Sequence, residues 1–365
     1  MKRSISLCMI VKNEEAVLER CFESIHPFFD ELVVVDTGST DRTVSIARKW
    51  TDKVFFFPWC DDFSKARNFA FSKASGTHRM WLDADDVVPK PSLEVLLAWK
   101  ETSYDEREVL YLPYETAFDE SGNAVFSFER ERIVPAALSH EWKGRVHETL
   151  AHNGTIKRLD APIRHASVKH GYSDRNVNIY ERMIEEQEPF SARDWFYYGR
   201  ELFYHQRYRE AIEALNRFLS QEDGWSQDRI EAIKVLSYCY GAIKEPLKER
   251  DVLLRAFSFG APRADVCCQL GQWHMKNGNN REAVFWYQTA LQCGICREEQ
   301  GFRDVNAEAF VPYLQLCVLY DRMGKHREAE EWNHLAAKVR PQAKAVLHNQ
   351  AYFERRKGTA GKQTE

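Results

Sequence analysis

The stretch "DELVVVDTGSTDRT", Asp30–Thr43, decides the fold. Leu32 to Val35 is an unbroken apolar run dominated by β-branched side chains, which suit a pleated sheet and crowd a helix. A strand apolar on both faces is one covered on both faces, as in parallel sheets flanked by helices. The run stops at Asp36 and a Gly turn. "DRTVSIARKW" then takes helical spacing, with Thr40 or Asp41 as its N-cap.

The same alternation extends in both directions. "SISLCMIV", "KVFFFPW" and "HRMWLDAD" read as strands, and "EEAVLERCFESI" and "FSKARNFAFSKA" as helices between them. These are βαβ units of a mainly parallel sheet. In such sheets ligands bind beyond the carboxyl ends of the strands, and the polar tails "KNEE", "DTGSTD" and "DADD" all fall there.

From about residue 190 the strand pattern disappears. "WFYYGRELFYHQRYREAIEALNRFL" (Trp195–Leu219), "QLGQWHMKNGNNREAVFWYQTAL" (Gln269–Leu291) and "LQLCVLYDRMGKHREAEEWNHLA" (Leu314–Ala336) superimpose on Ala211, Ala283 and Ala329. Gly199, Gly271 and Cys317 each stand 12 residues earlier, and the first two copies lie 72 residues apart, twice 36. "AIKVLSYCYGAIKEPLKERDVLLRAF" is a diverged unit between them, and "CGICREEQGFRDVNAEAF" an insertion before the last copy. Helix–turn–helix repetition near this period, with small residues where helices cross, predicts tetratricopeptide-like repeats. The expected organisation is an α/β domain over 1–175, helical repeats over 176–345 and a flexible tail over 346–365. The repeats offer a scaffold, a homo-oligomer contact, or a groove for a polypeptide.

Composition limits the function classes. The 365 residues are 44% hydrophobic and 29% charged, ordinary for a globular protein, with a formal net charge of −4. An acidic total without a basic stripe counts against nucleic acid as partner. No apolar run reaches the length of a membrane span. The start, "MKRSISLCMIVKNEE", imitates a signal peptide but lacks a small-residue cleavage site, and reads as a first strand. Nine cysteines without framework spacing predict reduced thiols and a cytoplasmic setting. "CGIC" (Cys293–Cys296) would need Cys267–Cys268 to complete a zinc site, and reads more simply as a helix end with buried thiols.

The chemistry concentrates in "RMWLDADDVVPKP", Arg79–Pro91. On a strand, Asp83 and Asp85 point the same way, and two hard oxygen ligands on one side suit Mn2+ or Mg2+ shared with substrate phosphates. Asp36, at a strand end, either accepts from the N–H of a uracil-like base or closes an Asx turn. Arg67, on a helix, either reaches base or phosphate with its fork or is surface charge. Between Arg130 and Arg175 nine Lys/Arg face five Asp/Glu, with five histidines besides. Such a basic segment, hinged at "KHGYS" (Lys169–Ser173), suits closure over an anionic donor.

"SLCMIVKNEEAVLERCFESI", "DELVVVDTGSTDRT", "PWCDDFSKARNFA" and "MWLDADD", in that order, resemble the N-terminal half of family 2 glycosyltransferases, which have the GT-A nucleotide-sugar fold. The likeness continues through "GRVHETL" and "HASVKHGYS". With the repeats, the chain resembles glycosyltransferases with C-terminal tetratricopeptide repeats, a group that includes S-glycosyltransferases of bacteriocin peptides. The resemblance implies donor contacts by Val11, Asn13, Glu14, Asp36 and Arg67, ribose or metal contact by Asp83, and metal binding by Asp85. Thr37 stands where the commoner pattern has a second Asp. Family 2 enzymes typically invert the anomeric carbon, which requires a base opposite the diphosphate. In "RVHE", His147 is the candidate metal or diphosphate ligand and Glu148 the candidate base, with Asp86 as rival base and a core role as the alternative for His147. The expected function is metal-dependent transfer of a hexose from a UDP-sugar to a peptide, protein or glycan. The alternatives are a protein-binding scaffold with an inactive transferase half, and a transferase acting on a modified DNA base.

Overall fold

The computed structural model describes residues 3–102, 105–168, 171, 173–293 and 302–360. They divide into two compact units, Met1–Ala117 with Ser127–Tyr197, and Phe118–Phe126 with Tyr198–Glu365.

In the first unit the strands are β1 (Ile5–Val11), β2 (Glu31–Asp36), β3 (Val54–Phe56), β4 (His78–Trp81), β5 (Asp86–Val87), β6 (Glu108–Phe118), β7 (Ala124–Pro135), β8 (His140–Lys143), β9 (Thr149–His152), β10 (Thr155–Arg158) and β11 (Ile163–His165). Between them lie the helices α1 (Leu18–Ile25), α2 (Thr43–Ala47), α3 (Phe63–Ser72) and α4 (Lys90–Lys100), and α5 (Arg175–Glu185) follows. The main sheet runs β3-β2-β1-β4-β7-β6-β11-β5, and β8 and β9 pair separately. β3, β2, β1 and β4 are mutually parallel, as the continuous apolar runs require. β7 joins β4 antiparallel, and β5 joins β11 antiparallel.

Both faces of β1 and β2 are buried. Leu7, Met9, Val11, Leu32 and Val34 pack with Leu18, Phe22 and Ile25 of α1, while Cys8, Val33 and Val35 pack with Ala70 and Phe71 of α3. Close packing fixes Gly76 as well, because a Cβ there would stand 2.7 Å from the Ser4 carbonyl oxygen. The register sets Val11 against Asp36 and Cys8 against Trp81, so three strand ends lie side by side at one edge.

Two sequence expectations change here. The fourth strand was expected to run through Asp85, but it ends at Trp81, and a turn closed by the Asp86 N–H on the Asp83 carbonyl (3.0 Å) follows. The alternation placing Asp83 and Asp85 on one face of a strand therefore does not operate. In addition, α5 and the residues up to Tyr197 belong with the α/β unit rather than with the repeats. Arg145 pairs there with Glu186 (2.5 Å) and Glu188, and Arg182 with Asp61.

The second unit is helical. α6 (Ala192–Tyr204), which begins in the first unit, leads to α7 (Tyr208–Leu219), α8 (Ser226–Ala242), α9 (Pro246–Leu254), α10 (Ala264–Lys276) and α11 (Asn280–Gln292). α12 (Val305–Glu308), α13 (Phe310–Arg322), α14 (His326–Val339) and α15 (Lys344–Ala360) complete it. Ala211, Ala283 and Ala329 are fully buried, as the repeat alignment predicts. A Cβ on Gly199 would meet Leu215 at 2.6 Å and one on Gly271 would meet Tyr287 at 2.9 Å, so both glycines mark close helix crossings. The insertion before the last repeat contains α12, and its residues 294–301, including Cys296, lie outside the described residues. The tail expected to be flexible from residue 346 is α15 as far as Ala360, docked through buried Val346 and Phe353. Among the described residues no helix is long and apolar enough to cross a membrane.

Candidate active site

The edge where β1, β2 and β4 end is cross-laced by the backbone. The Thr37 N–H and Oγ1 donate to the Val11 carbonyl at 3.0 and 3.1 Å. Asn13, in the left-handed region at φ 55°, takes the Thr40 N–H on Oδ1 (2.8 Å) and donates its own N–H to Ser39 Oγ (2.9 Å). The Glu14 N–H donates to Thr43 Oγ1 at 2.7 Å. Val11, Asn13, Glu14 and Asp36 thus form one rigid rim. The buried Asp36 carboxylate accepts from the Gly38 and Ser39 N–H groups, the Asx-turn reading, and a carboxylate has further lone pairs for a ligand.

β4 delivers Trp81 to the centre of the site, and three guanidinium groups surround its buried indole. Arg67 lies over the ring at 4.7 Å, Arg130 at 4.8 Å and Arg132 at 3.9 Å. Arg67 is set by α3, whose N-cap Asp62 accepts the Lys65 N–H at 3.0 Å. It is not surface charge. Only 6% exposed, it donates Nη2 to Asp83 Oδ1 (2.7 Å) and Nε to Glu148 Oε1 (2.5 Å). One buried cation therefore joins the acidic turn to the "RVHE" segment, 65 residues further along. Burial drives the Asp83 carboxyl upward, but Arg67, Arg132 and Arg130 outweigh it and hold it at about 2. Its folded pKa lies below the unfolded one, so its contribution to stability is complete above about pH 4. That contribution disappears as pH falls through about 2.

Asp86 sits at the bottom of the same turn, fully buried. Oδ2 accepts from Arg132 Nη1 and from the Asp83 N–H, both at 3.0 Å, and Oδ1 accepts from Tyr114 Oη at 2.8 Å. Burial raises its carboxyl despite the opposing charge of Arg132. With both oxygens committed, Asp86 is a structural hub and does not fit the role of rival base.

Asp85 is oriented differently. Among the described residues its carboxylate meets His165, with Nδ1 3.4 Å from Oδ1. The β11–β5 pairing sets His165 opposite Asp86, and the Ala166 N–H donates to the Asp85 carbonyl at 2.9 Å. Asp85, Asp86 and His165 can each offer one ligand atom within 4.8 Å of the others, the one such group of three among the described residues. A carboxylate–imidazole set suits a first-row divalent ion, and Asp85 has the free lone pairs to hold one. The histidine of this group is His165 rather than His147. His147, at φ 51°, instead stacks on Tyr197 with centroids 4.2 Å apart, and its carbonyl accepts from Arg193 Nε at 3.0 Å. Its neighbour Glu148 does reach the site, and among the described residues Glu148 Oε2 has no partner.

Sequence reasoning missed four residues here: Tyr114, Arg130, Arg132 and His165. His165 opens the quoted "HASVKHGYS". Arg130 and Arg132 have i, i+2 spacing in "FERERIVP", which sets both on one face of β7. Of the expected "KHGYS" hinge, residues 169, 170 and 172 lie outside the described residues.

A comparison with known families bears on the class. Residues 6–127 match the family described as glycosyl transferase family 2. Over that span, about a third of its length, the chain is similar to family 2 glycosyltransferases. The glycosyltransferase SunS of Bacillus subtilis, encoded by the SPbeta prophage, is 25% identical over 248 residues, 64% of this chain and 58% of that protein. A TPR repeat-containing protein of Synechococcus elongatus is 44% identical over 108 residues, 29% of this chain and 25% of its own length. The chain thus spans well under two thirds of these relatives. Among solved structures, that of MamA protein aligns with 45% of this chain and 81% of its own length, at 19% identity and a TM-score of 0.36. The glycosyltransferase match ends before Arg130, so Glu148 and His165 join the site through the fold and not through the matched span.

Proposed function

We propose that this chain is a metal-dependent, inverting glycosyltransferase that moves a hexose from a UDP-sugar to a peptide, protein or glycan acceptor. The observation that carries the reading is the meeting of Asp85 with His165 beside an Arg67-anchored Asp83, at the carboxyl ends of β1, β2 and β4. That edge is where an open parallel sheet receives its ligand. Asp85 and His165, with Asp83 alongside, would hold Mn2+ or Mg2+. Held there, such an ion would supply positive charge against a diphosphate leaving group. The rim of Val11, Asn13, Glu14 and Asp36 faces the nucleoside, where the remaining lone pairs of Asp36 accept from a base N–H. Glu148 is the base for the acceptor's proton. Arg67 fixes Oε1 and leaves Oε2 to receive it. His147 positions Glu148 through its left-handed backbone instead of meeting a ligand.

The helical unit supports a polypeptide acceptor or partner. It contains a cavity of about 460 Å³ lined by amide, cationic and apolar side chains, among them Gln269, Gln272, Gln315, Lys276, Arg322 and Met275. Among the described residues Gln269 Oε1 is buried there without a donor, and a peptide N–H is a group it can accept from.

The test is to incubate the protein with a panel of nucleotide-sugars and Mn2+ and to measure nucleotide release. UDP release from one UDP-sugar, rising with an added peptide acceptor and stopped by EDTA, is the expected result. No release from any donor would leave only the scaffold reading.

A further inference from the structure

Three arginines share the Trp81 ring, and they are not equally committed. Arg132 is fully buried and its Nη1 is bound to Asp86. Arg67 is bound to Asp83 and Glu148 by bonds of 2.7 and 2.5 Å. Arg130 differs. Its polar contacts all run through Nη2, which lies 3.5 Å from the Glu148 carbonyl and 3.5 Å from Glu131 Oε1. Nε and Nη1 have no partner among the described residues, and the side chain keeps 23% exposure. Glu131 is also occupied, since its Oε1 accepts the Leu150 N–H at 3.2 Å.

From this asymmetry we propose that Arg130 is the guanidinium that binds the anionic diphosphate of the donor and of the departing nucleotide. Stacking on Trp81 fixes the plane of the fork and lowers the entropy lost when it closes on a ligand. Two free N–H groups on a planar cation match the paired oxygens of a phosphate. The Glu148 carbonyl lies beside Arg130, and Arg67, which holds Asp83, shares its Trp81 ring. Arg67 cannot take this role without releasing two carboxylates, a change that costs far more than rearranging two contacts of 3.5 Å. Arg132 also has Nε and Nη2 without partners among the described residues, but it is fully buried, out of a ligand's reach. The identity of the anion rests on the proposed glycosyl transfer, whereas the assignment of Arg130 rests on its geometry.

The experiment measures binding of inorganic pyrophosphate and of UDP, each with Mn2+, by calorimetry on the full chain. It compares the parent with Arg130→Met, Arg130→Lys and, as a control for net charge, Arg158→Met. Arg158 is exposed, pairs with Glu129, and among the described residues makes no contact with Trp81, Asp83 or Glu148. Losing a charged bidentate contact is expected to weaken both ligands about 10- to 100-fold in Arg130→Met. Arg130→Lys, which keeps the charge and loses the fork, should fall between the two, and Arg158→Met should match the parent. If Arg130→Met fails to fold, Arg130→Lys decides. A lysine variant that binds pyrophosphate as the parent does overturns the bidentate assignment. A folded methionine variant with parental affinity overturns the inference alone. A parent that binds neither ligand overturns it together with the proposed function.

Discussion

Arg67→Met is expected to unfold with a stability loss of about 3–5 kcal/mol, the usual result of removing one partner from a buried ion pair. The cost follows from what remains. Glu148 is buried and Asp83 partly so, and both lose the cation on which they converge. The indole faces of Trp81 and Trp142 lose the same guanidinium, which lies 4.7 and 5.0 Å from their centroids. Arg67→Lys should recover little, because one ammonium cannot reach both carboxylates in fork geometry. Chemical denaturation monitored by tryptophan fluorescence measures this directly. A loss below about 1 kcal/mol, the size of a surface pair, would show that the bridge is not the keystone proposed.

Asp85→Ala is expected to reduce the turnover number by a factor of about 1,000 or more while leaving stability nearly unchanged. Asp85 is half-buried on a turn and its side chain meets only His165 among the described residues, so its removal exposes no cavity and breaks no buried pair. The contrast with Asp86 is informative. Asp86→Ala strands the fully buried Arg132 and should fail by instability instead. Steady-state kinetics with a UDP-sugar, together with a melting curve, separates the two. If Asp85→Ala turned over like the parent, the metal assignment would be wrong.

The parallel core was legible because it depends on side-chain periodicity. Leu32 to Val35 could be buried on both faces only in a covered sheet, and the recurring alanines could meet only at helix crossings. The details of the acidic turn were not legible. Whether Asp83 belongs to a strand depends on a hydrogen bond from Asp86 to Asp83 and on Asp86 finding Arg132, 46 residues away. No local pattern encodes that pairing. The choice of His165 over His147 is similar. Both lie in recognisable stretches, and only the antiparallel pairing of β11 with β5 brings His165 to the carboxylates. Arg67 illustrates the limit from the other side, since its residue type suggested an anion and the fold gave it two carboxylates of its own chain.

The most direct test is calorimetric titration of Mn2+, in the presence of UDP, into the parent and into Asp85→Ala and His165→Ala. One ion bound per chain in the parent, with affinity lost in both variants and folding intact, is the result expected. A parent that takes up no manganese, or variants that bind it as tightly, would contradict a catalytic centre built on Asp85 and His165.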